Sequence, residues 1–409
     1  MGGAFTSEKD RLTVNESASS AIVLPTLRQD IQISVHLEDG ENYLVLHDVF
    51  GVAEGPIMVH EDMLDVLQAC NGVTSLQDLA ASAGVETNGP EMTRLMVFLG
   101  QMDQMGYMHG ERYKSLREQA NHDWDILVER PAVCAGSTYP SDPQELRTFL
   151  TNVMRIKPER NAPTLPQAKM ALIPHIDFRV APHAYNPGFE AIANHPSDVV
   201  VLVGTSHYWS NDAFILTEKS YTTPLGTVAT NVDLVRTLAA SLPGVSSTDF
   251  AHKPEHSLEL HIVCLQHLWG KRNFCVVPLL VTSTALDGDT IQSAATILRD
   301  VLPADALWIV SGDLAHVGKK FGDEVPASAM IDAVKGADQL LLDQMRAASP
   351  EGYHQEILAT DYAYRICGHA PTVLALTATR PTSGEVAAYD VWEEEETQSA
   401  VSFATVLWH

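Results

Sequence analysis

At 409 residues the chain is long enough for two or three domains and a large buried core. Its formal net charge of −26 argues against nucleic acid and anionic membrane surfaces as partners, because both would repel it. No apolar run approaches the ~18 residues of a membrane span, and the N-terminus has no charged region followed by an apolar block, so a cytoplasmic protein is expected. Five cysteines, scattered at Cys70, Cys134, Cys264, Cys275 and Cys367, do not read as a disulfide framework, which fits a reducing compartment.

Residues 1–20 are rich in Gly, Ser, Thr and charge and are expected to form a loose tail. The alternating runs IQISVHL and ENYLVLHDV flank Asp39-Gly40, a β-hairpin signal. Three helical stretches follow. One has Thr74 or Ser75 as N-cap and Gly84 as terminator, and the last has Pro90 near its start and Gly106 near its end. A hairpin plus three helices over 21–118 predicts a small winged-helix-like α+β domain. LPTLRQDI, the hairpin and CNGVTSLQDLA resemble the PqqD-like domains, which hold leader peptides; the resemblance implies a peptide- or protein-contacting module. Asp30, Glu38, Asp39, Glu41 and Asp48 make the hairpin too acidic for a DNA reader. His36, His47, His60 and His109 have no ligand-like spacing. The charged stretch that follows is read as a linking helix, with 119–130 as linker.

From 131 to 409 apolar runs alternate with helical stretches, which predicts a three-layer α/β domain with a mostly parallel sheet between helices. VAAYDVW and VSFATVLW are expected as late strands pairing antiparallel at one edge. Three of the strands share an ending. KMALIPH breaks at Pro174 and presents His175; VVVLVGTSH turns at Gly204 and presents Ser206 and His207; ALWIVSGDLAH presents Asp313 and His316. The carboxyl edge of such a sheet is where ligands bind. Imidazoles are the commonest metal ligands, so strand-end histidines meeting there predict an enzyme or metal site.

HKPEHSLELHIVCLQHLWG is dense in possible ligands. With Pro254 in a first helical turn, His256 and Glu259 would share a face, and both are taken as site-lining; His267 is read as structural. The spacing H-x-x-E-x-H is one residue off both zinc-protease motifs, so that reading fails. Asp313 can hold a histidine's second nitrogen, leaving His316 to act as general acid or base, or it can cap a helix. RICGHAPTVLALTA places Cys367 on a turn before an apolar helix, where a thiolate is favoured. Phe178, Tyr185, Tyr208 and Trp209 follow the histidine motifs and are candidates to line an aromatic-friendly pocket.

Taken in order, AGSTYPSDPQEL, LIPHIDFR, VLVGTSHYW, YTTPLGTVATN, EHSLELHI, VPLLV, SGDLAHVG and ICGHAPTVLAL resemble the MEMO family, also catalogued as protein B of the AmmeMemoRadiSam set, over about 131–409. That family is similar in fold to class III extradiol dioxygenases. The resemblance implies a metal held by His175, His207 and Cys367, with Asp313 and His316 lining the same cleft and His256 joining them. A thiolate in place of the dioxygenases' carboxylate shifts preference toward softer ions. Iron(II) is expected first, copper is the rival, and zinc is compatible. The expectation is a metal-dependent, oxygen-using oxidoreductase acting on a small aromatic or peptide-borne substrate, with Asp313, His316 and His256 moving protons. A non-catalytic scaffold recognising a peptide or protein is the alternative, and a metal-assisted hydrolase is the third.

Overall fold

A computed structural model describes residues 22–158, 168–208 and 210–409; the expected tail and Trp209 lie outside the described residues. The chain divides into two compact units, Met1–Ala120 and Asn121–His409.

Unit 1 runs β1 (Thr26–Leu27), β2 (Gln32–Glu38), β3 (Glu41–His47), β4 (Ile57–His60), α1 (Leu64–Ala69), α2 (Leu76–Ala83), α3 (Pro90–Gln104), β5 (Met108–His109) and the start of α4 (Glu111–Asp125). β2, β3 and β4 form an antiparallel sheet in that order. The β2–β3 turn passes through Asp39 (φ 52°) and Gly40 (φ 83°), the left-handed pair that a two-residue hairpin loop requires. Ser75 caps α2 by accepting the Asp78 N–H (3.1 Å), and left-handed Gly84 ends it. The core is Leu44 and Leu46 of the sheet against Leu67, Leu79, Leu99 and Met102 of the helices.

One buried ion pair ties unit 1 together. Asp48 accepts from Arg28 Nη1 (3.0 Å) and from the N–H groups of Phe50, Val52 and Ala53. Burial alone would raise the Asp48 carboxyl, but Arg28 and the backbone donors hold it below its ordinary value. A depressed carboxylate stabilises the fold above its unfolded pKa of ~3.9 and ceases to do so as pH falls through the folded value. Asp48→Asn is expected to cost unit 1 about 2 kcal/mol at neutral pH. It should also flatten the acid limb of its stability curve, read by hydrogen exchange at the Phe50 and Val52 amides.

Unit 2 begins with the end of α4, then β6 (Glu129–Arg130), α5 (Pro143–Asn152), β7 (Met170–Ile173), α6 (Pro182–Ile192) and β8 (Val199–Thr205). Next come β9 (Phe214–Leu216), β10 (Ser220–Thr223), β11 (Gly226–Thr230), α7 (Val232–Ser241), α8 (Glu259–Trp269) and β12 (Cys275–Val281). The chain closes through α9 (Thr290–Val301), β13 (Leu307–Ser311), β14 (His316–Gly318), α10 (Ile331–Arg346), α11 (Pro350–Ala359), α12 (His369–Thr379), β15 (Gly384–Glu394) and β16 (Ser399–Trp408).

The large sheet is ordered β14-β16-β7-β13-β8-β12-β11-β10-β6, with β15 on β16 and β9 on β12. β7, β13, β8 and β12 are mutually parallel; β15 and β16 pair antiparallel at one edge. The sheet is mostly parallel at its centre and flanked by helices. Alternate strand residues serve opposite faces. Ala171, Ile173, Val200, Leu202, Leu307 and Ile309 pack under α5, α6 and α8. Met170, Leu172, Val201, Val203, Trp308 and Val310 pack under α7, α9, α10, α11 and α12. Because β13 lies between β7 and β8, Ile173, Ser311 and Gly204 are level across three neighbouring strands. Whatever follows those residues must share one edge of the sheet.

Candidate metal centre

His175 follows β7 and Pro174 and is buried. Its backbone N–H donates to Asp313 Oδ1 (3.0 Å), so the loop after β13 fixes the loop after β7. The Ser311 hydroxyl donates to Ser257 O (2.6 Å), which leaves a lone pair to accept His175 Nδ1–H (2.9 Å). That sequence of bonds assigns the tautomer with Nε2 bare. Nε2 then lies 3.3 Å from Cys367 Sγ and 3.7 Å from Asp313 Oδ2.

His207 follows β8 and is held by Glu255. Glu255 Oε2 accepts the His207 N–H and Oε1 accepts Nδ1–H, both at 2.9 Å. The second imidazole is thereby also presented through Nε2. His256 stacks on His207 with ring centroids 4.8 Å apart, and its Nδ1 is 3.4 Å from Glu255 Oε1. The His175 ring stands edge-on to both, at 4.9 Å from His207 and 5.2 Å from His256. Gly204 lets Ser257 and Leu258, just after His256, pack close against β8: a Cβ there would lie 2.6 Å from Leu258 Cδ2 and 2.9 Å from Ser257 Oγ.

Cys367 arrives from the turn before α12. Its Sγ accepts the Asp313 N–H at 3.2 Å, and Gly368 N–H donates to Asp313 O at 3.2 Å. Two glycines meet where these loops touch. A Cβ on Gly312 would lie 2.5 Å from Gly368 Cα, which is backbone and cannot swing aside. Gly312→Ala is therefore expected to push the Cys367 turn outward and weaken metal affinity at least ~10-fold, the lower end for displaced supporting groups, measured by competition with a chromophoric chelator.

The ligand atoms of His175, His207 and His256 lie within 4.8 Å of one another, and so do those of His175, Asp313 and Cys367. His175 belongs to both groups. Its side chain and those of Asp313 and Glu255 are almost wholly buried, whereas the His207 and His256 side chains are 30% and 38% exposed. The cluster thus has a dry floor and an open side. Burial, then the neighbouring His207 and His256 imidazoles, push His175 well below the ordinary histidine value. Burial would also lower His207, but Glu255 and Cys367 raise it well above that value. Glu255 is depressed, its burial cost outweighed by His207. Burial raises Asp313 to about 7, against the His175 N–H that lowers it. Burial raises the Cys367 thiol too, opposed by its hydrogen bond with His207.

Each of the two groups, three imidazoles in one and an imidazole, a carboxylate and a sulfur in the other, has a donor composition and spacing that could hold a metal ion. Neutral nitrogen, deprotonated sulfur and carboxylate are the forms a metal binds. Glu255 supports His207 without being in either donor group. Glu255→Gln is expected to keep the fold and lower metal affinity 10–100-fold, the usual effect of losing a ligand's hydrogen-bonded carboxylate; isothermal titration with the metal ion checks it.

Several residues stand differently from the sequence reading. α8 begins at Glu259, so His256 lies in the turn before the helix and the shared helical face does not exist. Glu259 lines no cleft: it is fully buried, accepting from Arg130 Nη1 (2.5 Å), Tyr139 OH (2.5 Å) and the Val133 and Cys134 N–H groups (2.9 Å each). Phe178 is likewise buried, its ring among those of Tyr139, Phe149 and Tyr185. Asp313 caps no helix and holds no nitrogen of His316, whose Nδ1 donates to Leu314 O (3.1 Å). His316 opens β14, is in neither donor group, and is lowered to about 4, first by burial and also by His207. Tyr208 is half-buried with its hydroxyl on Pro254 O (3.4 Å). His267 bonds Ile156 O and Thr151 and is structural. Glu255 is one of the possible ligands in HKPEHSLELHIVCLQHLWG, but nothing in the sequence assigns it the role of holding His207, and nothing there marks Ser311.

The fold and the cluster define an α/β protein with a histidine, thiol and carboxylate centre, of metal-binding composition, at the carboxyl edge of a mostly parallel sheet. Residues 130–407 match the family described as Memo-like protein, and the chain belongs to that family. It is 27% identical over 378 residues to a MEMO1 family protein of Aquifex aeolicus, covering 89% of this chain and 96% of that one. That alignment is longer than unit 2, so it includes part of unit 1. MEMO1 family protein TTHA0924 of Thermus thermophilus is 27% identical over 282 residues, covering 68% of this chain and 82% of its own. Protein memo-1 homolog of Caenorhabditis elegans is 23% identical over 255 residues, covering 61% and 71%.

Proposed function

We propose that unit 2 is a metal-dependent oxidoreductase, binding one iron(II) and using oxygen on a small aromatic or peptide-borne substrate, with a fold akin to the class III extradiol dioxygenases. The observation that supports this most is the pair of histidines whose Nδ1 atoms are each tied down, one by Ser311 and one by Glu255, with the His175 Nε2 3.3 Å from Cys367 Sγ and 3.7 Å from Asp313 Oδ2 and the His207 ring 4.9 Å from that of His175. His175, His207 and Cys367 hold the ion, with His256 or Asp313 able to complete the set. The ion, when bound, supplies Lewis acidity and one-electron chemistry. Glu255 and Ser311 keep the imidazoles in the ligating tautomer. Asp313, raised to about 7, is poised to take or give a proton at its Oδ2 near neutral pH. The bare Nε2 of His316 provides a second proton acceptor, and the exposed sides of His207 and His256 mark where substrate enters.

Copper is the second reading, favoured by the Cys367 sulfur, a soft donor; zinc accepts the same donors. Unit 1 is proposed as a winged-helix-type, PqqD-like module that brings a peptide or protein to the centre. The protein is proposed to act in the cytoplasm, without nucleic acid or membrane; among the described residues no helix is long and apolar enough to cross one. The test is oxygen uptake by the iron-loaded protein with catechols and peptides. Uptake tied to a product supports the oxidoreductase. A tight peptide complex without turnover supports the scaffold, and cleavage without oxygen uptake supports the hydrolase.

A further inference from the structure

β2 is a free edge. It pairs with β3 on one side through an uninterrupted register, Gln32 opposite His47 to Glu38 opposite Glu41, and is the outermost strand of its sheet. All seven of its residues, QISVHLE, are exposed. Soluble proteins blunt such edges with proline, lysine, a bulge or a short strand. This strand has none of these. Its alternate residues Ile33, Val35 and Leu37 are 43%, 68% and 67% exposed. Ile33 and Val35 stand opposite Leu46 and Leu44, which are buried in the unit 1 core. The apolar stripe is therefore an exposed margin of the core face, beside a row of backbone groups with no strand partner among the described residues.

We propose that a second copy of the chain covers this edge, with β2 pairing antiparallel to β2 of the partner about a two-fold axis at Val35. The strand is complementary to itself in that register. Val35 faces Val35, Ile33 faces Leu37, Ser34 faces His36 and Gln32 faces Glu38, so apolar residues meet on one face and polar residues on the other. The one charged residue, Glu38, meets a neutral amide that can donate to it, and no like charges stand opposite each other. A two-fold axis is the symmetry that lets one surface bind itself. The two three-stranded sheets become one of six strands, and the stripes Ile33, Val35 and Leu37 lie side by side.

Seven-residue strands bury less than the ~800 Å² per partner of a standard interface, so the dimer is concentration-dependent, with a Kd on the order of micromolar or weaker. Two chains each carrying −26 repel, so it strengthens with salt.

Sedimentation velocity of the full chain, from low to several hundred micromolar and at low and high salt, tests this together with three exposed substitutions. The wild type is expected to dimerise reversibly, more at high salt. Val35→Lys should weaken dimerisation at least ~10-fold, two opposed ammonium groups replacing an apolar pair, with an unchanged circular dichroism spectrum. Val35→Cys should give a disulfide dimer under mild oxidation beyond the wild-type background. Ser34→Cys, opposite His36 and on the other face, should not. A monomer at every concentration overturns the proposal, as does a dimer that survives Val35→Lys, equal crosslinking by both cysteine variants, or crosslinking by neither. An extended peptide of another protein found on β2 in place of a second copy also overturns it.

Discussion

Glu259→Ala is expected to destabilise unit 2 by about 3–5 kcal/mol, the usual cost of removing one partner of a buried ion pair. The guanidinium of Arg130 is wholly buried with its partner, and it also donates to the carbonyls of His252, Pro131 and Glu255. Without Glu259 that charge has no counter-ion, and two backbone N–H groups and a tyrosine hydroxyl lose their acceptor. Glu259 is held below the ordinary carboxylate value by Arg130, against burial that would raise it, so it is charged at neutral pH. The loss is comparable to a domain's whole stability. Urea denaturation followed by tryptophan fluorescence reads it. Arg130→Ala should cost as much, and the double variant should cost much less than the sum. Because the Arg130 network passes through the backbone of Glu255, metal affinity should weaken as a consequence of loosened support, not of a lost ligand.

His175→Ala is expected to lower metal affinity at least ~100-fold, because it removes the one side chain common to both donor groups. The variant keeps the backbone N–H that bonds Asp313, so the two loops remain joined. The measurement is competitive chelator titration with iron(II), copper(I) and zinc(II), alongside thermal unfolding to confirm the fold. Cys367→Ala separates the metals. Loss of a sulfur donor should weaken copper(I) more than iron(II), because thiolate affinity is what distinguishes the softer ion. Equal losses for the two ions would count against sulfur as a ligand.

Much of this centre was legible because strand ends announce themselves. Pro174 and Gly204 break their apolar runs at the points where His175 and His207 emerge, and parallel strands must deliver those residues to a common edge. The hairpin at Asp39-Gly40 and the cap and stop at Ser75 and Gly84 were legible for a related reason: each depends on residues within one turn of chain. What escaped depends on tertiary pairing. Glu255 and Glu259 sit four positions apart with the same side chain, and only the location of Arg130 and of His207 decides which one is structural and which supports the centre. Ser311 reads as an ordinary strand residue until β13 is seen between β7 and β8. Phe178 follows a site motif by three residues, yet its ring is buried among those of Tyr139, Phe149 and Tyr185. Pro254 suggested an early helix start, but the Glu255 carboxylate is committed to His207, and the chain becomes helical only at Glu259.

His175, His207 and Cys367 are proposed to hold one ion. This assignment is tested most directly by the metal content per chain of protein isolated without air and reconstituted with iron(II), beside the His175→Ala, His207→Ala and Cys367→Ala variants. One tightly bound ion per wild-type chain and a substoichiometric amount in each variant are expected. Absence of any stoichiometric iron, copper or zinc from the folded wild-type protein, or full occupancy in the Cys367→Ala variant, would contradict it.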